Sequence, residues 1–331
     1  MDQNQFNWGI IAPGRIAHRF AQGLAVIDDA TLYAVASSDI SRAAAFADTY
    51  GGASKLYGNY DALIADPEVD AIYIANPHRY HYDCVERCLK AGKPVLCEKP
   101  LTVTAAESER LFTLAETEGV FLMEAVWSRF LPAWAQVKKW LNDDLIGDVR
   151  VISSTFGFNV PRDKEDRLLN LDSAGGVLLD MGIYNVAMSQ FVMDCNPVKI
   201  LADGIVGETG VDERSSGLLN YGGPISMFTT NFQAQTTNDM TISGTRGSIV
   251  VDAEFWAAQR ATLTVKDGDV VTIEKPFRAS GFEYQTEAAM RCIRAGKLQS
   301  EVIPWKDTLG NMRTMDEILT QVGVNYPFTT R

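Results

Sequence analysis

The chain has 331 residues, 46% of them hydrophobic, enough for two packed cores at the usual ~150 residues per domain. Its 42 Asp and Glu outweigh 30 Lys and Arg, a formal charge of −12, so a nucleic-acid groove or an anionic membrane would repel it and neither is expected as a partner. Met1-Asp2-Gln3-Asn4-Gln5-Phe6 does not read as a secretory signal, no later stretch reads as ~20 apolar residues, and the cysteines form no Cys-x-x-Cys pair; the expectation is a cytoplasmic protein with reduced thiols and no metal.

Short β-branched runs at Trp8 to Ala12, Leu32 to Ser37, Ala71 to Ala75, Val95 to Glu98 and Val120 to Glu124 alternate with helical patterns near 15–26, 41–49, 59–65, 79–91 and 104–118. This alternation predicts βαβ units and an α/β architecture: a Rossmann, doubly wound parallel sheet over residues 1–125. The helix near 104–118 opens with Thr104-x-x-Glu107, a capping-box signature. After Glu124 comes an amphipathic helix with Phe130, Trp134, Val137 and Leu141 on one side. Alternating runs follow at 149–160, 198–206, 225–233, 248–252 and 262–274, the last folding back at Lys266-Asp267-Gly268-Asp269. Helical patterns return near 283–295 and 306–319. Residues 126–331 are therefore expected to form a substrate-binding and oligomerisation α+β domain with a large, mostly antiparallel open sheet. A sheet face bearing Met227, Thr229 and Phe232 predicts a homodimer unless the domain's own helices cover it.

The first strand runs Gly9-Ile10-Ile11-Ala12-Pro13-Gly14-Arg15-Ile16-Ala17. A G-x-G-x-x-G/A fingerprint uses small residues there so that backbone N–H groups and a helix N-terminus approach a pyrophosphate, which makes Gly9, Ala12, Gly14, Arg15 and Ile16 candidate cofactor contacts. Ala12 replaces the first glycine, although a residue with a Cβ does not adopt positive φ freely. NAD sites usually carry a carboxylate at the end of the second strand, and here Ser37 stands in its place, followed by Ser38, Asp39 and Arg42. Two hydroxyls and a guanidinium suit a 2′-phosphate, favouring NADP over NAD; Asp39 opposes that reading unless it caps the next helix.

Val95-Leu96-Cys97-Glu98-Lys99-Pro100 is a buried strand ending in a charged pair. At the carboxyl edge of a parallel sheet such side chains point into the ligand crevice; the alternative is a solvated turn. Taken after a fingerprint strand, this Glu-Lys-Pro motif resembles the Gfo/Idh/MocA oxidoreductases over nearly the whole chain. Ala75-Asn76-Pro77-His78-Arg79-Tyr80-His81 resembles the family's loop bordering the nicotinamide through Asn76, Pro77 and His81. Gly175-Gly176-Val177-Leu178-Leu179-Asp180-Met181-Gly182-Ile183-Tyr184 resembles its second signature, with Tyr184 where many members carry histidine. That tyrosine, with Glu124-Ala125-Val126-Trp127-Ser128-Arg129-Phe130, resembles the branch holding dimeric dihydrodiol dehydrogenases and NADP-dependent D-xylose dehydrogenases, and it implies Arg129 among the cofactor contacts.

The resemblance implies an NAD(P)-dependent enzyme that moves hydride to or from a secondary alcohol of a sugar or vicinal diol, with Lys99 and Tyr184 catalytic. A nearby ammonium favours the phenolate, so Lys99 would lower Tyr184 from its reference near 10 and let it take the hydroxyl proton. Asp180 would share a helix face with Tyr184 and either accept a hydrogen bond from a substrate hydroxyl or cap the helix. Trp127, Phe156 and Phe158 wall the pocket or pack as core, His81 contacts ligand or is structural, and His18 and His78 are surface or structural residues. Two further readings stay open: a reductase of a keto-sugar or dicarbonyl, and a catalytically inactive NAD(P)-binding regulator.

Overall fold

Strands β1 (Phe6–Ile11), β2 (Ala30–Ala36), β3 (Lys55–Tyr57), β4 (Ala71–Ile74), β5 (Val95–Glu98) and β6 (Leu122–Ala125) form one sheet in the order β3-β2-β1-β4-β5-β6. Every pairing in it is parallel. Helices α1 (Arg15–Leu24), α2 (Ile40–Thr49), α3 (Tyr60–Ile64), α4 (His81–Lys90) and α5 (Ala105–Glu118) connect the strands, the doubly wound arrangement expected. β4, β5 and β6 are buried at every position, as strands of a sheet covered on both faces must be. The ladders pair Ile11 with both Ala36 and Ile74, and Ile74 with Cys97. The carboxyl ends of β2, β1, β4 and β5 are thus level, and the strand order reverses at β1, where such sheets bind ligands.

The computed structural model describes residues 5–329, which cluster into two compact units. The sheet just described belongs to the first, which gathers the chain up to Thr102, Ala106–Trp127 and Phe277–Trp305; the second takes Val103–Ala105, Ser128–Pro276 and the chain from Lys306 on.

The second unit holds α6 (Pro132–Asn142), β7 (Val149–Gly157), α7 (Ile183–Met193), β8 (Lys199–Val206), β9 (Asp212–Asn220), β10 (Ile225–Asn231), β11 (Met240–Gly244), β12 (Gly247–Val251), β13 (Arg260–Val265) and β14 (Val270–Glu274). Its sheet runs β14-β13-β12-β11-β7-β10-β9-β8, antiparallel except where β7 lies parallel to β10. Leu171–Met193 is long and apolar enough to cross a membrane by length and composition, contrary to the expectation that no stretch is; most of it is buried within the protein, as in a core helix. Phe232, expected on the open sheet face, is fully buried beyond the end of β10, whereas Met227 is exposed.

A first domain ending at residue 125 leaves out Phe277–Trp305, which the structure places with the first unit. The reason is close packing of α8 (Glu283–Arg294) on α1. A Cβ on Gly23 would lie 2.7 Å from the Glu283 backbone nitrogen, so only glycine lets the two backbones meet. Ser280 Oγ donates to the Arg19 carbonyl at 2.6 Å, and Trp305 Nε1, at the head of α9 (Trp305–Val322), donates to the Leu122 carbonyl at 2.8 Å.

Candidate active site

At the end of β1 the chain turns through Ala12, whose φ of +62° is the left-handed conformation that a glycine would adopt without strain. Ala12 N–H donates to the Ala36 carbonyl at 3.0 Å and Gly14 N–H to the Ala12 carbonyl at 2.7 Å, which holds the turn against β2. Gly14 begins α1 without any side-chain cap, so the first N–H groups of Arg15 and Ile16 are left to a ligand or water. A Cβ on Gly14 would meet nothing nearer than 3.9 Å; the space there is open to an incoming group. Gly9 serves differently from expectation. It is buried within β1, and a Cβ there would press on Leu63 at 2.9 Å and Val69 at 3.1 Å, so its smallness serves core packing rather than phosphate approach.

Beyond β2, Asp39 caps α2, accepting from Ser41 N at 2.9 Å and Ser41 Oγ at 2.7 Å; these bonds hold its carboxyl below the usual range. The acid that argued against a 2′-phosphate is therefore the helix cap. Arg42 Nη2 donates to Ser38 Oγ at 2.7 Å, and both residues are exposed, while Ser37 is buried and accepts from Asp39 N at 3.3 Å.

Beyond β4, Asn76 Nδ2 donates to the Tyr80 carbonyl at 3.3 Å, and buried Oδ1 has no hydrogen-bond partner among the described residues. Pro77 caps the 3-10 turn His78–Tyr80. His81, expected to contact substrate or cofactor, is wholly buried. Its Nδ1 lies 2.8 Å from the Pro100 carbonyl and its Nε2 2.8 Å from the Asn76 carbonyl. Burial first, and the Lys99 charge with it, push it down to about 4, so at neutral pH the ring is uncharged and faces backbone, not ligand. His78 is buried beside it, and His18 is partly buried with Nδ1 2.8 Å from Tyr50 Oη, which makes both structural.

At the end of β5, Glu98 is buried, accepting from Tyr73 Oη at 2.5 Å and Lys99 N at 3.3 Å. Lys99 is partly exposed, and the peptide joining it to Pro100 is cis. Glu124, on the neighbouring strand, accepts from Leu101 N at 3.0 Å. Cys97, two residues before the lysine, is no nucleophile, since burial pushes its thiol well up. Trp127 is 2% exposed, packed against Phe277 and Phe282 with the Arg19 guanidinium 5.0 Å from its ring centroid, so core packing prevails over a pocket-wall role.

In the second unit the signature helix opens as a π-helical turn, Leu178–Gly182, before α7. In that wider turn, closed by i→i+5 bonds, Asp180 and Tyr184 are still close to one full turn apart. Asp180 neither caps the helix nor stands alone: it accepts from Arg167 Nη1 at 2.9 Å, a partner the sequence did not disclose. The cap is Asp212, fully buried on β9, which accepts from Leu178 N at 2.9 Å and Ser215 Oγ at 2.6 Å. Tyr184 is 6% exposed, with the Phe156 ring centroid 5.9 Å away. Phe156 stacks on Trp256 at 3.5 Å, and Phe158 meets both edge-on. Trp256 belongs to this aromatic group but gave no signal in the sequence beyond its being aromatic.

Arg129, expected among the cofactor contacts, is 3% exposed and clamps α7 instead. Its Nη1 donates to Asp307 at 2.7 Å, and its Nη2 to the Ala187 carbonyl at 3.0 Å and Gln190 Oε1 at 2.5 Å.

The first unit therefore brings Ala12, Gly14, Arg15, Ile16, Ser37, Ser38, Arg42, Asn76, Pro77 and Lys99 to the carboxyl ends of four adjacent parallel strands. An uncapped helix start beside open space fits a pyrophosphate, and the orphaned amide oxygen of Asn76 fits a carboxamide donor; the residues suit a nicotinamide dinucleotide.

Comparison with known proteins agrees with this geometry. Residues 6–126 match an oxidoreductase family model with an NAD-binding Rossmann fold, and residues 134–250 match the Gfo/Idh/MocA C-terminal domain. The chain is 35% identical to a trans-1,2-dihydrobenzene-1,2-diol dehydrogenase of Xenopus tropicalis over 97% of this chain and 99% of that one. It is 36% identical to its Mus musculus counterpart, covering 97% and 98%. Among solved structures, a 3-ketoreductase from Actinomadura kijaniata in complex with NADP and TDP-benzene superposes with a TM-score of 0.86 at 25% identity, covering 96% of this chain and 98% of that one. An aldose-aldose oxidoreductase from Caulobacter crescentus gives 0.87 at 24%, with the same coverage, a likeness of fold. With its two halves matching the two family domains in order and its whole length matching named dehydrogenases, the chain belongs to the Gfo/Idh/MocA oxidoreductase family.

Proposed function

We propose that this protein is an NADP-dependent dehydrogenase or reductase acting on a secondary alcohol or its carbonyl in a vicinal diol or sugar, with Tyr184 and Lys99 as its catalytic residues. The observation that carries the reading is the array at the carboxyl ends of β2, β1, β4 and β5: the uncapped start of α1, the exposed Ser38–Arg42 pair and Lys99 on one sheet edge. The substrate class follows the dihydrodiol dehydrogenases to which the chain is similar over its whole length.

The Arg42 guanidinium and the Ser38 hydroxyl bind the 2′-phosphate, the start of α1 binds the pyrophosphate, and Asn76 orients the carboxamide through its amide oxygen. When bound, the nicotinamide accepts or donates hydride at C4. In oxidation, the Tyr184 phenolate takes the substrate hydroxyl proton as the carbinol hydrogen leaves as hydride; in reduction, the Tyr184 hydroxyl returns that proton to the forming alkoxide. Lys99 lends positive charge to the developing alkoxide. Asp180, held by Arg167, accepts a hydrogen bond from the adjacent substrate hydroxyl.

The reductive direction has its own support in the likeness to the 3-ketoreductase. The test is a titration with NADPH and NADH, followed by turnover on vicinal diols, aldopyranoses and dicarbonyls with wild type and Tyr184→Phe. Tighter NADPH binding and turnover that requires Tyr184 uphold the proposal. Cofactor binding without turnover on a widened panel sinks it in favour of a regulator.

We also infer a cytoplasmic homodimer. The thiols, none in a disulfide, suit a reducing compartment, and the exposed apolar side chains of the second sheet suit a second copy.

A further inference from the structure

Three consecutive residues carry the catalytic lysine into place, and each is gripped by a different buried side chain. Glu98 accepts from Lys99 N at 3.3 Å, the His81 ring meets the Pro100 carbonyl at 2.8 Å, and Glu124 accepts from Leu101 N at 3.0 Å. Exposures of 0% for His81, 2% for Glu124 and 5% for Glu98 keep all three from solvent and deny His81 and Glu124 any direct work on a substrate. We propose that His81 and Glu124 are positioning residues for Lys99, which set its ammonium before any ligand arrives; the inference rests on Lys99 being catalytic as proposed above.

The physical case begins with the two carboxylates. Glu98 and Glu124 sit on adjacent strands, β5 and β6, where Cys97 pairs with Glu124 and Glu98 with Ala125. Burying carboxylates is costly unless they are hydrogen-bonded, and each here accepts a backbone N–H from the same short loop. A single such bond would fasten one end of the loop and leave the lysine backbone free to pivot. Bonds on both sides of Pro100, with His81 filling the space at the proline carbonyl, remove that freedom.

His81 adds a second link. It starts α4, and its other ring nitrogen lies 2.8 Å from the carbonyl of Asn76, so one ring spans the loop after β4 and the loop after β5. The placement of Asn76, toward the carboxamide, and of Lys99, toward the reacting carbon, is thereby coupled through one buried ring.

The experiment compares Glu124→Ala, Glu124→Gln and His81→Phe with wild type and Lys99→Met. Glutamine keeps an acceptor oxygen for Leu101 N, alanine removes it, and phenylalanine keeps the ring but no bonding nitrogen. Expected losses in kcat are about 10- to 100-fold for Glu124→Ala and His81→Phe, the scale set by a misplacement of about 1 Å. KM is expected to stay within about threefold in both, the NADPH Kd within about threefold in Glu124→Ala, and Glu124→Gln to recover most of the loss.

A readout on the apoprotein stands beside the kinetics. In reductively 13C-methylated protein, the Lys99 signal, assigned by its disappearance in Lys99→Arg, is expected at a shifted, single position in wild type and Glu124→Gln. In Glu124→Ala and His81→Phe it is expected to move to the position of mobile lysines. An unmoved Lys99 signal with unchanged kcat in both variants overturns the proposal, as does a Glu124→Gln loss as large as that of Glu124→Ala. Full turnover by Lys99→Met would instead sink the catalytic reading, while the NMR arm still decides whether His81 and Glu124 hold the lysine.

Discussion

Asp212 Oδ2 accepts the amide of Leu178 at 2.9 Å across 34 residues of sequence, placing a fully buried carboxylate at the start of the helix that presents Asp180 and Tyr184. Burial raises its pKa, against the opposing bonds from Ser215 and the helix amides. A carboxyl with a raised folded-state pKa binds more protons folded than unfolded, so this group's contribution to stability is fullest in acid and declines as pH rises through the folded value. Asp212→Asn removes that dependence. Its stability relative to wild type, from urea midpoints at several pH values, is expected to improve from pH 4 to pH 8; a difference that stays flat contradicts a raised pKa.

Gly176 precedes that helix at φ +120°, and a Cβ there would lie 2.3 Å from Asp212 Oδ1 and 2.9 Å from Tyr326 Oη. Tyr326 cannot yield easily, because its hydroxyl donates to the Gly175 carbonyl at 2.5 Å. Gly176→Ala combines backbone strain with overpacking and is expected to destabilise by about 2–4 kcal/mol. Urea unfolding gives the value directly. A loss below about 1 kcal/mol would mean that the turn relaxes cheaply.

His81 titrates in the opposite sense to Asp212. Its folded value of about 4 lies below the ordinary 6.5, so its neutral burial contributes stability that is complete above pH 6.5 and drains away as pH falls from there through about 4. The shift corresponds to about 3 kcal/mol at the acid end, as an order of magnitude. His81→Phe is expected to flatten the acid limb of stability between pH 6.5 and 4. An unchanged limb would assign acid sensitivity to other groups.

Much of this site was readable before the structure, because its signals are local. The turn from β1 into α1, the serines and Arg42 after β2, and Glu98-Lys99-Pro100 are contiguous motifs whose position on a strand follows from hydrophobic runs. Strands β3, β9 and β11 were missed for a physical reason. β3 is only Lys55–Tyr57 at a sheet edge, and Asp212–Asn220 carries Asp, Glu, Arg and serines where an apolar alternation would announce a strand. Arg167, Asp212 and Trp256 escaped because their roles exist only through long-range contacts. Arg129 misled for the same reason: its position in a motif suggested a ligand, while its partners Asp307 and Gln190 lie far along the chain.

Cofactor preference should turn on Arg42. With Asp39 committed to capping α2, Arg42 and Ser38 are the exposed polar pair after β2. Arg42→Ala is expected to weaken NADPH about 10- to 100-fold, the worth of one charged hydrogen-bond partner, and to leave NADH within about threefold. Fluorescence titration of both cofactors decides it. Equal losses for the two would place Arg42 on a part of the dinucleotide that both share.

The last prediction concerns the outer face of the second sheet. Leu201 pairs with Leu218, and Leu218 with Met227, giving an apolar row across β8, β9 and β10 in which Leu201 is 52% and Met227 41% exposed. Neighbouring Thr229 is tied to Ser216, their hydroxyls 3.0 Å apart, so the row is flanked by polar groups that are already satisfied and offer little resistance to burial. A second copy laid on this face would cover the row symmetrically, and two carboxylates placed in it would be buried without partners. Leu201→Asp with Met227→Asp is therefore expected to convert a dimer to monomer in sedimentation at micromolar concentration, with NADPH binding unchanged because the first unit is untouched. A wild type that sediments at the mass of one chain removes the dimer; a dimer that survives the double substitution moves its interface to another face.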